Sequence, residues 1–94
     1  MRISQNYIDV IKNSILSLDT KAKLFLFGSR VDDKKKGGDI DLLVVSEKLS
    51  FSDKLKIECE MFKHIEEQKI DIIITDDINK SAFTRYIFDT AVVL

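Results

Sequence analysis

The hydrophobic and polar positions of this chain switch between a helical and a strand-like period along its length. Apolar residues at helical spacing predict an amphipathic helix over residues 4–18, with Ser4 as its N-cap. Two continuous apolar runs, residues 24–27 and 39–45, predict strands that are covered on both faces. Between them, the polar residues 31–38 predict a turn region, with one helical turn at its start. The first half of the chain therefore predicts a helix and two strands.

The second half predicts two helices around a third strand. A helix from Ser50 or Ser52 to about residue 68 carries a stripe at the 3.6-residue period, made of Phe51, Leu55, Cys59, Phe62 and Ile65. Ile57 and Met61 widen this apolar arc beyond what one sheet face needs. Another helix or a partner chain would cover them, and the sequence leaves both options open.

The third strand, residues 70–75, has Asp71 near its start. A last helix is predicted over about residues 79–90, capped by Asp76 or Asp77, and the apolar residues 91–94 end the chain as a tucked terminus or a small edge strand. Residues 46–69 are long enough for a parallel crossover between the second and third strands. The expected fold is α/β (α+β), with the order α-β-turn-β-α-β-α and helices packed on a small, mixed, three-stranded core sheet. We expect one domain, residues 1–94.

Composition narrows the class of protein. The formal net charge of −1 argues against direct nucleic-acid binding, for which a basic face is expected. No window approaches the roughly 20 apolar residues that span a bilayer, and residues 1–6 lack the apolar core of a signal peptide. The single cysteine, Cys59, excludes an internal disulfide. These features predict a cytoplasmic protein.

The candidate chemistry lies at the ends of the three strands. Gly28 and Ser29 end the first strand, where a flexible backbone and a hydroxyl suit phosphate oxygens. Asp39 and Asp41 open the second strand on one face, and two like charges so close together repel unless a cation lies between them. Asp71 opens the third strand, so three carboxylates are predicted to converge. Such hard oxygen ligands suit Mg²⁺, and two ions would stabilise an in-line displacement.

Each residue also has a plainer interpretation. A lone D-x-D is usually a solvated strand entry, Gly-Ser alone is a turn, and Asp71 alone is a polar strand edge; their conjunction carries the functional interpretation. The lysines at 34–36 are interpreted as a solvated turn and not as a phosphate clamp, whereas Arg30 stays open between the two. His64 is expected on the surface and Cys59 in the core, and Tyr86 and Phe88 are expected to be packing residues of the last helix.

These motifs resemble the DNA polymerase beta-like nucleotidyltransferase superfamily. Gly28-Ser29, Asp39-x-Asp41 and Asp71 match its pattern, and the run GSRVDDKKKGGDIDLLV looks most like the minimal nucleotidyltransferases of bacteria and archaea. The nine residues between Ser29 and Asp39 are one fewer than is usual. The resemblance implies a nucleotidyltransferase fold, in which Gly28 and Ser29 bind the nucleotide's phosphates. Arg30 is added as a candidate nucleotide-binding residue because it directly follows them. The resemblance also implies that Asp39, Asp41 and Asp71 are catalytic and bind two Mg²⁺ ions. Asp71 is further implied to help activate the attacking hydroxyl.

The resemblance also implies a partner. Many minimal members are antitoxins of a HEPN-domain toxin, and by that resemblance this chain transfers AMP from ATP to a tyrosine of a HEPN-domain protein. The alternative is a non-catalytic, nucleotide-binding antitoxin that neutralises its partner by contact. A phosphotransfer domain with an aspartate nucleophile ranks below both, because its D-x-D would follow a strand. The sequence leaves open the nucleotide, the acceptor and whether the chain forms a homo-oligomer.

Overall fold

Three helices pack on a four-stranded mixed sheet in the computed structural model, which describes residues 3–32, 34, 38–65 and 69–94. The helices are α1, Gln5–Leu16, α2, Phe51–Phe62, and α3, Ala82–Thr90. The strands are β1, Lys23–Phe27, β2, Ile40–Val45, β3, Ile70–Thr75, and β4, Val92–Val93. A 3₁₀ turn, Gly28–Val31, follows β1 and begins three residues earlier than the predicted helical turn.

Local side-chain chemistry sets the starts of the helices. The Ser4 hydroxyl accepts a hydrogen bond from the Tyr7 amide at 3.2 Å, which confirms the predicted N-cap of α1. Ser50 and Asp53 form a capping box at α2, in which the Asp53 carboxylate accepts from the Ser50 amide at 2.8 Å. Helix α3 starts later than predicted, because Ser81 and not Asp76 or Asp77 is its N-cap. The Asp77 carboxylate instead accepts from the Asn79 amide in the preceding turn.

The sheet has the order β3-β2-β1-β4. Strands β1 and β2 are antiparallel, and β2 and β3 are parallel, so the predicted mixed sheet is confirmed. The chain end adds one strand to the predicted three, because β4 pairs antiparallel with β1. The helix α2 makes the crossover between the parallel strands. This topology brings the end of β1 and the starts of β2 and β3 to the same end of the sheet.

The core lies on the sheet face that α1 and α2 cover. Alternate strand residues point into it, including Leu26, Leu42 and Ile72, and they meet Ile11 and Ile15 of α1. The intervening residues point to the opposite face, where α3 lies against β1. Phe25 and Phe88 meet there edge to face, with ring centroids 5.3 Å apart. The packing role expected for Phe88 is therefore confirmed, and its side chain is half-buried.

The predicted apolar stripe of the second long helix is wrong at four of its five positions and confirmed only at Ile65. Phe51 is 74 % exposed, and the side chains of Leu55, Cys59 and Phe62 are exposed too, whereas Ile57 is 1 % exposed and Met61 is fully buried. Both apolar sets follow a helical period, so periodicity cannot decide between them. The set that fits against α1 and the sheet is the one buried, together with Ile65. Tyr86 on α3 is also exposed, contrary to the prediction, while His64 is exposed as expected.

Candidate active site

A tight backbone turn joins β1 to the site. Gly28 follows Phe27 with a φ of +78°, a region that L-residues rarely adopt. A Cβ at Gly28 would overlap the carboxylate of Asp41, because the turn lies directly against this side chain. Asp41 is the cross-strand partner of Phe27, which places it beside the turn. The glycine predicted to approach a phosphate therefore also makes room for an aspartate of the site.

A second glycine shapes the turn from its other end. Gly38 has a φ of +92°, and a Cβ there would overlap the hydroxyl of Ser29. The Nε of Arg30 donates a hydrogen bond to the Gly38 carbonyl at 3.2 Å. The return of the chain towards β2 is thus fixed against the Gly28–Val31 turn. Gly38 was not among the predicted site residues, although its place directly before the D-x-D motif was a usable signal. Lys34 is exposed, and Lys35 and Lys36 lie outside the described residues.

Two of the predicted carboxylates are direct neighbours. Asp41 and Asp71 occupy the same register position on the parallel strands β2 and β3. Neighbouring strands lie about 4.8 Å apart, so the two side chains leave the sheet side by side on one face. Both point to the face on which α3 lies, away from the α1–α2 core. This juxtaposition is the arrangement that the sequence predicted for Asp71.

Asp39 lies just before β2 and reaches Asp71 through a lysine. The Nζ of Lys69 is 3.9 Å from Oδ2 of Asp39 and 4.0 Å from Oδ2 of Asp71. The side chains of these aspartates are 48 % and 51 % exposed, so both are open to solvent. Lys69 was missed in the sequence, although it lies two positions before Asp71, a spacing that puts both side chains on the same face of an extended chain.

The surroundings of Asp41 disfavour the charged form of its carboxyl. Its carboxyl is half-buried, and the loss of water around the charged form raises its pKa. The negative charges of Asp71 and then Asp39 raise the pKa of Asp41 further, while Lys69 lowers it. A carboxylate held in this way gains from a nearby cation. The one ammonium of Lys69 offsets only part of the charge of three aspartates.

The carboxylates of Asp39, Asp41 and Asp71 are chemically suited to bind a divalent metal ion. Carboxylate oxygens are the ligands that Mg²⁺ takes from proteins, and substrate phosphates and water complete its shell. Among residues 3–32, 34, 38–65 and 69–94, no three His, Cys, Asp or Glu side chains are gathered closely enough to form a ready cage. The three carboxylates share one end of the sheet, with Lys69 between Asp39 and Asp71, but they do not converge on a single spot as the sequence predicted.

The opposite end of the sheet has a different character. A cleft of about 720 Å³ lies there, lined by residues that include Asp19, Lys23 and Ser46. Asp19 is buried and accepts from the Ser46 hydroxyl at 2.6 Å and from the Lys21 amide at 3.0 Å. Its hydrogen bonds tie β2 to the segment after α1. We therefore place the chemistry at the carboxylate end, beside the glycine turn.

The profile of the family described as Polymerase beta, Nucleotidyltransferase matches residues 10–94, which is nearly the whole chain. The chain belongs to this nucleotidyltransferase family, and the resemblance drawn from Gly28-Ser29, Asp39-x-Asp41 and Asp71 is confirmed. A search of curated proteins found no match. In the described part of the chain, no helix is long and apolar enough to cross a membrane.

Membership gives the activity in its general form. The family domain supports a transferase that moves nucleotidyl groups, and such enzymes generally use nucleoside triphosphates and divalent metal ions. The mixed sheet with three helices is consistent with the nucleotidyltransferase fold.

Proposed function

We propose that this chain is a Mg²⁺-dependent nucleotidyltransferase that transfers AMP from ATP to a hydroxyl group of a partner protein. The observation that carries the proposal is the contact between the Gly28 turn and Asp41, with Asp71 at the same register position on the next strand. The glycine turn and two carboxylates therefore lie next to each other. The family match supports the general reaction.

The proposed roles follow from where each group lies. The Gly28 backbone and the Ser29 hydroxyl hold the triphosphate, and Arg30 braces the turn and adds positive charge beside it. Asp39, Asp41 and Asp71 hold Mg²⁺, two ions in the full site. When bound, these ions neutralise phosphate charge and stabilise the attacking and leaving oxygens. Asp71 orients the incoming hydroxyl and accepts its proton, and its exposure of about one half supports this role.

The transfer is a single displacement at phosphorus, in which one bond forms and one breaks. The acceptor oxygen forms a bond to the α-phosphorus of ATP, the bond from that phosphorus to the bridging oxygen of the β-phosphate breaks, and pyrophosphate leaves. By the family resemblance, the acceptor is a tyrosine of a HEPN-domain toxin, and the chain acts as its antitoxin. The open side of the carboxylates supports a protein acceptor, because Asp39 and Asp71 are about half exposed.

The test uses the full chain together with the proteins that co-purify with it, Mg²⁺, and ATP labelled at the α- or the γ-phosphate. We expect protein-bound label from α-labelled ATP alone. The double variant Asp39→Asn with Asp41→Asn should lose that label and keep its fold by circular dichroism. The matched control Asp9→Asn with Asp89→Asn removes the same amount of charge from α1 and α3. This control should keep the protein-bound label. Label that persists in the first variant would overturn the assignment of the catalytic residues.

A non-catalytic antitoxin that acts by contact is the second candidate. The pairing of Lys69 with two of the three carboxylates favours it, because these groups already have a cation beside them. In cells that carry the toxic partner, the variant Asp39→Asn with Asp41→Asn separates the two candidates. Loss of protection supports transfer, and full protection supports contact.

A further inference from the structure

The backbone of Lys69 is fixed beside the site by a hydrogen bond, whereas its side chain is exposed to solvent. Its carbonyl accepts a hydrogen bond from the Ile40 amide at 2.9 Å, which fixes the start of β3 beside the start of β2. Its Nζ is 3.9 Å and 4.0 Å from the carboxylates of Asp39 and Asp71, beyond hydrogen-bond distance. The side chain is 69 % exposed. The ammonium therefore lies near both carboxylates without being locked to either.

We propose that Lys69 is a built-in counter-ion that occupies the carboxylate end of the sheet in the metal-free chain and competes with the divalent cation for it. This inference rests on the proposed function, since it assumes that Asp39 and Asp71 help to hold the metal. The four-carbon stem lets the ammonium swing into solvent while the Ile40–Lys69 backbone bond stays in place. Lys69 thereby sets the metal concentration at which the site fills.

The charge balance gives the direction of the effect. Three aspartates with Lys69 present carry a net charge of −2, and without it −3. A dication is held more strongly by the larger charge, and it no longer has to displace an ammonium. Exposed ion pairs are weak, and one ammonium is shared between the two carboxylates, so its loss should tighten metal binding about 3- to 10-fold.

The experiment titrates the full chain with Mn²⁺ in the absence of nucleotide and follows free Mn²⁺ by electron paramagnetic resonance. We expect Lys69→Gln to bind Mn²⁺ about 3- to 10-fold more tightly than the wild type, and Lys69→Arg, which keeps the charge, to stay within about twofold of it. The control Lys23→Gln makes the same charge change at the other end of the sheet. Four residues of strand place it roughly 13 Å away, beyond the Debye length of about 8 Å at physiological salt, so its affinity should not change.

The outcomes separate this inference from the function on which it rests. If Lys69→Gln binds Mn²⁺ with the wild-type affinity, the role of Lys69 is overturned and the transferase is left intact. The same holds if Lys23→Gln tightens binding as much as Lys69→Gln does. Failure of both wild type and Lys69→Gln to bind millimolar Mn²⁺ overturns the metal site, and the inference with it. Binding that survives Asp39→Asn with Asp41→Asn does the same.

Discussion

Asp41 and Asp71 stand at the same register position on two parallel, adjacent strands. Like charges side by side on a sheet oppose folding, and the raised pKa of Asp41 reflects this arrangement together with its partial burial. The same arrangement is what a metal-dependent transferase needs. The site therefore favours cation binding at the expense of the stability of the free chain.

Asp41→Asn should stabilise the metal-free protein and abolish transfer. The amide keeps the shape of the side chain and removes one of three clustered charges, so we expect the Tm at pH 7 without metal to rise by about 2–5 °C. Differential scanning calorimetry in EDTA measures it. Asp9→Asn, on the exposed face of α1, is the control and should leave the Tm unchanged within about 1 °C. A lower Tm for Asp41→Asn would show that this carboxylate stabilises the fold.

Gly28→Ala should damage both fold and site. The alanine would take a φ of +78° and its Cβ would overlap the Asp41 carboxylate, so we expect a loss of about 1–3 kcal/mol in the free energy of unfolding. Urea denaturation measures the loss. In Gly28→Ala with Asp41→Ala the overlap is removed and only the backbone cost remains, so part of the stability should return. No recovery in that double variant would contradict the contact.

The inner face of α2 can be tested by a matched pair of variants. Ile57→Ala empties a position that is 1 % exposed and should cost about 2–4 kcal/mol, whereas Leu55→Ala, at a position 55 % exposed, should cost less than about 1 kcal/mol. Chemical denaturation of the two variants gives both values. A larger loss of stability in Leu55→Ala than in Ile57→Ala would contradict the burial of Ile57 and support the buried stripe that the sequence pattern favoured.

Asp19 should make stability depend on pH. Its pKa is lowered mainly by the hydrogen bond from Ser46 and next by that from the Lys21 amide. Because the folded pKa lies below the unfolded one, Asp19 contributes its full stability above the unfolded value near 3.9, and this is lost as the pH falls through the folded pKa. The Tm difference between wild type and Asp19→Asn should therefore be largest at neutral pH and shrink below pH 4. A difference that stays constant down to about pH 2.5 would rule out this linkage.

Much of the fold could be predicted because the local signals agree with one another. The apolar runs, the caps and the crossover length gave the helices, the mixed sheet and the face shared by Asp41 and Asp71. The choice between Leu55 and Ile57 could not be predicted, because both lie in apolar sets of helical period and only the arrangement of α1 decides. The role of Lys69 depends on side-chain reach across two strands, which spacing along the chain does not report.

The exposed position of Cys59 has a practical use. It is the only cysteine of the chain, and it lies on the outer side of α2, with the helix and the sheet between it and the carboxylates. A fluorophore or spin label can therefore be attached at one defined position without mutating any other residue. Such a label leaves the glycine turn open, so nucleotide, metal and partner proteins can be titrated against its signal.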